Sequence, residues 1–411
     1  MNNIFRIAKL SRFIHLINDI PVRKFAGVYL VFSFSLMIVG ISQLYHIGNF
    51  YGTEYLSTHA LYAVIGFGAF LLFQNDYIIK IFERLIHYPL VWGVIAVIIL
   101  IISFNSPAVH GAHRYAFIKN IYVNTSPIII IFLVASCASI GEFGGTLSGS
   151  KKVQYIILII TVIILAMSQP NFQLMKAMFL VVVAFFSICG RNKRAVEMIC
   201  LMIMLIGLGL CITSYNHLFE FTSGYQTHQA LRAWKKAEMM RYGMVGSIVL
   251  NVPEMQNTMV FAGIVQLWGK MGVIIILFII TMQFILFNNS ISTSKNQFLA
   301  FSGFGLFVVY YQSVVSSFLI SIGILPPMRQ IVGAGLLSSG SDLIYSFILT
   351  SLVYKNLVSQ KIVISKYPKI IYVTNDNKNS ERKVNVEYFN YIILSIFTIC
   401  VVLVIYPIVK I

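Results

Sequence analysis

Apolar residues dominate this chain in long runs, separated by short polar segments. The runs fall at 26–46, 57–74, 88–105, 126–144, 153–168, 172–189, 197–215, 258–287, 298–322 and 330–354, with an eleventh at 388–409. Each comes near the length at which a helix crosses about 30 Å of hydrocarbon. In lipid an irregular span leaves backbone groups unpaired, so the runs are expected to be helices. The pattern predicts an all-α, polytopic transmembrane helix bundle of about ten spans plus one extra C-terminal span.

The polar segments then give the organisation. Residues 1–25 read as a basic N-terminus and 26–354 as the transmembrane unit, with a large outer loop at 216–257. Residues 355–387 form a polar, basic linker and 388–411 the added C-terminal helix. With the N-terminus in the cytoplasm, inner segments hold twenty Lys and Arg and outer segments eight, while Lys176 and Lys270 fall inside spans. That bias is the expected one for this orientation. The inner linker is expected to lie near anionic lipid headgroups.

Composition narrows the function classes. The chain is 58% hydrophobic and only 10% charged, against about a quarter charged in soluble domains. Its net charge of +17 reflects basic residues flanking spans, and no basic and aromatic run reads as a nucleic-acid site. The five cysteines, Cys137, Cys189, Cys200, Cys211 and Cys400, lie in or beside apolar runs without a CxxC, and read as buried apolar side chains. His110 and His113 share an outer segment but lack acidic or Cys partners, so no metal site is expected. Glu142 and Asp342 are acids within or near spans, and such acids are functional candidates by default. A lysine inside a span must snorkel, pair or face a polar cavity, and Lys176 and Lys270 are each in that position.

Six short motifs then appear in order. They are "HGAHRYAFIKNIYVNTSP" at 110–127, "QPNF" at 169–172, "GYQTHQAL" at 224–231, "VPEMQNTMVFAG" at 252–263, "IGILPP" at 322–327 and "SSGSDLI" at 338–344. Over roughly residues 25–355 the chain resembles the SEDS family (shape, elongation, division, sporulation), the FtsW/RodA/SpoVE-type membrane glycosyltransferases. The resemblance implies a protein of the bacterial inner (cytoplasmic) membrane that acts in peptidoglycan synthesis for cell shape or division. The implied substrate is a lipid-linked disaccharide precursor, and the implied partner a single-pass penicillin-binding transpeptidase. The candidate substrate-binding residues are Arg114, Gln169, Gln226 and Gln229 in the matching motifs, and Lys176 and Lys270, the two lysines within spans. Such a polymerisation needs a general base for the attacking hydroxyl. It also needs positive charge at the departing diphosphate, from Arg, Lys or a divalent cation. Arg114, Arg232, Lys235 and Arg241 are candidates for that charge; no other cofactor is implied.

The departures from the family pattern sit where the chemistry would be. The family's presumed catalytic Asp falls on Thr258, which cannot serve as a base near neutral pH. Other family acids fall on Pro127, Asn171 and Gln266, and the family Lys after the first motif falls on Ile130. Glu254 alone matches a family carboxylate. No Asp lies between Asp76 and Asp342, so a shifted alignment restores nothing. If 254–258 is helical, Glu254 and Thr258 share a face one turn apart. Glu254 then reads either as a substitute base or as a residue capping the helix start with Pro253. The expected function is precursor binding with a degenerate glycosyltransferase site. The alternatives are an active glycan polymerase using Glu254, and a flippase or polymerase of another surface polysaccharide.

Overall fold

In the computed structural model, residues 25–51, 54–86, 89–106, 115–118, 121–143, 172–189, 225–240, 252–255, 257–291, 294, 297–325, 332–338, 342–358, 371–372, 383–384 and 386–405 are described. The expected spans at 153–168 and 197–215 lie outside them. Most of the remaining apolar runs are helices close to their sequence bounds. They are α1 (Phe25–Tyr51), α2 (Glu54–Gln74), α4 (Pro89–Phe104), α5 (Ser126–Phe143), α6 (Phe172–Cys189), α8 (Val260–Ile291), α9 (Gln297–Ser321), α10 (Asp342–Val358) and α11 (Val386–Ile405). Two further helices, α3 (Asp76–Ile86) and α7 (Tyr225–Lys236), are amphipathic. A short hairpin, β1 (Tyr115–Ile118) and β2 (Ile121–Asn124), joins α4 to α5 with Tyr115 opposite Asn124. A second two-stranded pair joins 371–372 to 383–384.

Large apolar side chains lie exposed along α1, α2, α4 and α11, among them Val31, Ile38, Val64, Leu72, Ile98 and Ile399. An outward apolar surface is what a bundle in lipid presents, whereas a soluble domain would cover it. By length and composition, Ala26–Tyr45, Val260–Asn288 and Phe298–Ser321 can each cross a membrane, and the apolar stretches His59–Gln74, Gly93–Phe104, Ser126–Ala138 and Ile393–Ile405 are shorter.

Helix α9 is the central element, packed against α5, α6, α8 and α10. Its Phe304, Phe307 and Phe318 are fully buried. Phe307 meets Phe284 of α8 edge-on at 4.9 Å and stacks on Phe287 at 5.9 Å. Helix α1 runs antiparallel to α8. At one end Gln283 Nε2 donates to Ser33 Oγ at 2.9 Å, and at the other Gln43 of α1 reaches Val260. Helix α2 runs parallel to α10 at a constant offset: Ser351 Oγ donates to the Phe70 carbonyl at 2.9 Å and Lys355 Nζ to the Gln74 carbonyl at 2.7 Å. Lys355 also pairs with Asp76 at 2.6 Å. Helix α11 lies on α8, where Asn288 Nδ2 donates to Asn390 Oδ1 at 2.8 Å, Phe397 meets Phe278 at 6.0 Å and Tyr311 of α9 donates to the Ile393 carbonyl at 3.3 Å.

Two expectations are corrected. The run at 330–354 is not one helix: α10 begins at Asp342. Residues 332–338 instead form a buried irregular segment with a 3-10 turn at Gly335–Leu337 packed against α1. Gly333 and Gly335 hold φ of 53° and 65° there, which an α-helix excludes. Irregular backbone is tolerated at this depth because protein surrounds it. The α8 helix is also broken, at Gly269 (φ 72°, ψ −175°), a conformation essentially reserved for glycine.

Candidate functional site at the start of α8

The stretch before α8 is a chain of turns rather than a helix. Glu254 adopts φ 57°, which for a residue with a Cβ costs roughly 1–3 kcal/mol. The left-handed step turns its carbonyl inward, and that carbonyl accepts the backbone N–H groups of both Asn257 and Met259 at 3.0 Å. The Met259 carbonyl in turn accepts from Ala262 and Gly263 as α8 starts. Thr258 is buried and its hydroxyl donates to Glu254 Oε2 at 2.7 Å. The two residues therefore meet as their spacing predicted, but through a tight turn and not through a shared helix face. The Glu254 carboxylate is engaged by Thr258, while its carbonyl closes the turn that precedes α8.

Sequence reasoning missed the residue that holds this turn from outside. Gln43, on α1 and 1% exposed, donates from Nε2 to the Met255 carbonyl at 3.0 Å and the Val260 carbonyl at 3.1 Å. The available signal was an amide inside an apolar span, which is costly unless paired. Gln266, where the resembling family has an acid, is buried six residues past Val260 on α8 and points Nε2 at Met255 Sδ at 3.7 Å.

Helix α7 covers the same end of the bundle. Thr227, Ala230, Ala233 and Trp234 form its buried face. Trp234 meets Phe318 edge-on at 5.9 Å, and Phe318 meets Phe261 of α8 at 5.8 Å. Gln226 and Gln229 are half-buried at the edge of that face, while His228, Arg232, Lys235 and Lys236 are exposed. Beyond α7, the carbonyls of Glu238 and Met239 accept the Lys270 and Met271 backbone N–H groups at 3.1 and 2.9 Å. This pairs the segment after α7 to α8 at the Gly269 break, where a regular helix would have used those donors itself.

The remaining candidates separate. Lys176 of α6 is half-buried and donates to Ser316 Oγ of α9 at 3.2 Å, and Gln312 Nε2 also donates to that hydroxyl at 2.9 Å. Lys176 is therefore paired with polar groups across α6 and α9, two residues along α9 from Phe318. Lys270 is half-buried just past the break. Asp342 is fully buried at the start of α10, with Ser338 Oγ 3.5 Å from its Oδ2. Arg114, Gln169 and Arg241 lie outside the described residues. Among the described residues no group of three His, Cys, Asp or Glu side chains could hold a metal ion.

No protein-family model matches the chain, and no curated protein matches it. Solved structures do. A chain of a peptidoglycan synthase complex, described as coordinating polymerization and crosslinking, is similar at TM-score 0.61 and 15% identity, covering 79% of this chain and 95% of that one. The rod shape determining protein RodA of Thermus thermophilus is similar at TM-score 0.53 and 14% identity, covering 80% and 94%. An Asp-to-Ala variant of the same RodA gives TM-score 0.54, 15% identity, and 80% and 95% coverage. At this identity the likeness speaks for the fold, and with the apolar spans it gives the conclusion that this multi-pass membrane protein has the SEDS-type fold of RodA.

Proposed function

We propose that this chain acts in bacterial peptidoglycan synthesis as a SEDS-type protein that binds lipid-linked disaccharide precursor without polymerising it. The observation that carries this reading is Thr258. It stands where the resembling family has its presumed catalytic Asp, and its hydroxyl is committed to Glu254 at 2.7 Å. A hydroxyl cannot accept the proton of an attacking sugar at neutral pH, whereas a carboxylate can. The surrounding frame is kept: an amphipathic outer helix with exposed Arg232, Lys235 and Lys236, and half-buried Lys176 and Lys270 at the same end of the bundle. These basic side chains can meet the charge of the precursor diphosphate, alone or together with a divalent cation. The added helix α11 and a single-pass penicillin-binding partner fit a regulatory role in a synthase assembly.

A second reading rests on the same contact. Glu254 is held close to the position of the missing Asp and could take its place as base. Purified full-length protein in liposomes with lipid-linked disaccharide separates the two. The first reading expects saturable binding and no glycan. Glycan formed by the native chain and abolished by Glu254→Gln establishes the second.

A further inference from the structure

We infer that Gln43 is the positioning residue of the Glu254–Thr258 turn: its side-chain amide clamps the two carbonyls that bracket Thr258 and so fixes where Glu254 is presented. Gln43 sits 212 and 217 residues from its two acceptors, on a different helix. Met255 lies immediately after Glu254 and Val260 opens α8, so the segment between them is tied at both ends by one amide. Both Nε2 protons are used, and the assignment of the amide is not ambiguous. The flipped orientation would set the amide oxygen against two carbonyl oxygens, which repel it. Among the described residues Gln43 Oε1 has no hydrogen-bond partner, so the two donor bonds give this buried amide its polar anchorage.

The fit is specific to the pair of helices. A Cβ at Gly263 would overlap Gln43 Nε2, so glycine on the first turn of α8 is what admits the amide. The clamp also has something to resist. Glu254 is held in a left-handed conformation, and a turn with strained backbone persists only when its surroundings over-determine it. The Glu254 carbonyl supplies two of those constraints from within the turn; Gln43 supplies two from outside. That the presented Glu254 bears on a precursor site rests on the proposed function; the clamp itself does not.

The test is backbone hydrogen exchange on the full-length protein, native and Gln43→Met, which keeps length and removes both donors. Losing two hydrogen bonds to buried carbonyls should speed exchange of the Asn257 and Met259 N–H groups by about tenfold or more. Exchange in 346–353 of α10 should stay unchanged, and lipid-linked disaccharide binding should weaken. Unchanged exchange at 257–259, or a rise spread evenly over the bundle, overturns the positioning role. Faster exchange at 257–259 with undiminished precursor binding supports the clamp and counts against the precursor reading instead. Should Gln43→Met fail to fold, Gly263→Ala serves. It displaces the amide while improving helix propensity, and the same local exchange signature is expected from it.

Discussion

The Thr258 hydroxyl donates to the Glu254 carboxylate at 2.7 Å. Thr258→Val keeps the shape and removes the donor. It should lower the stability of the purified protein by about 1 kcal/mol, the usual net worth of such a bond, and loosen Glu254 more than α8. Thermal unfolding together with exchange at 257–259 checks both parts. Thr258→Asp places a second carboxylate against Glu254. Two like charges this close repel, so the variant should be less stable than the native protein, which thermal unfolding will detect.

At the opposite end of the bundle Lys355 holds the Asp76 carboxyl below its ordinary range, by hydrogen bond first and by charge second. A depressed acid contributes stability above its unfolded value, and that contribution disappears as pH falls through the folded value. The stability of the native protein should therefore drop below about pH 4, starting near the ordinary Asp pKa. Asp76→Asn should flatten that part of the profile. Because Asp76 is fully exposed, the loss should be small and should shrink further in high salt. Unfolding temperatures between pH 3 and 6 at two salt concentrations measure it.

Gly269 carries φ 72° and ψ −175° at the break in α8. Gly269→Ala should cost roughly 1–3 kcal/mol from backbone strain. It should also release the pairing of Lys270 and Met271 to Glu238 and Met239. Faster exchange at those two N–H groups, along with a lower unfolding temperature, is the expected outcome.

The added helix α11 is tied to α8 by Asn390 and Asn288. Asn390→Leu should destabilise the docked helix by about 1–2 kcal/mol, since it leaves a buried amide without this partner. The double variant with Asn288→Leu should cost less than the two single changes added together. A double-mutant cycle on unfolding free energy reads the coupling directly.

Much of the fold was legible because apolar runs of span length have few other solutions in lipid. Phe172–Cys189 matched to the residue, and Gln297–Ser321 within one. The failures have particular causes. "VGAGLL" at 332–337 is apolar enough to extend a span, yet Gly333 and Gly335 take positive φ and turn it into a buried plug against α1. Helix α3 hid in a polar gap because its periodicity covers only eleven residues. At the site, the Glu254–Thr258 contact was foreseen from i, i+4 spacing, but its mechanism was not: nothing local announces that Glu254 is left-handed. Gln43 was invisible to motif reasoning because its partners are backbone carbonyls more than two hundred residues away.

The central claim is that the frame around Thr258 holds a lipid-linked disaccharide while the chemistry is missing. Its most direct test is glycan synthesis by the full-length native protein in liposomes, measured beside precursor binding in the same preparation. Saturable binding with no polymer is the expected result. Polymer made by the native chain and lost on Glu254→Gln would contradict the account.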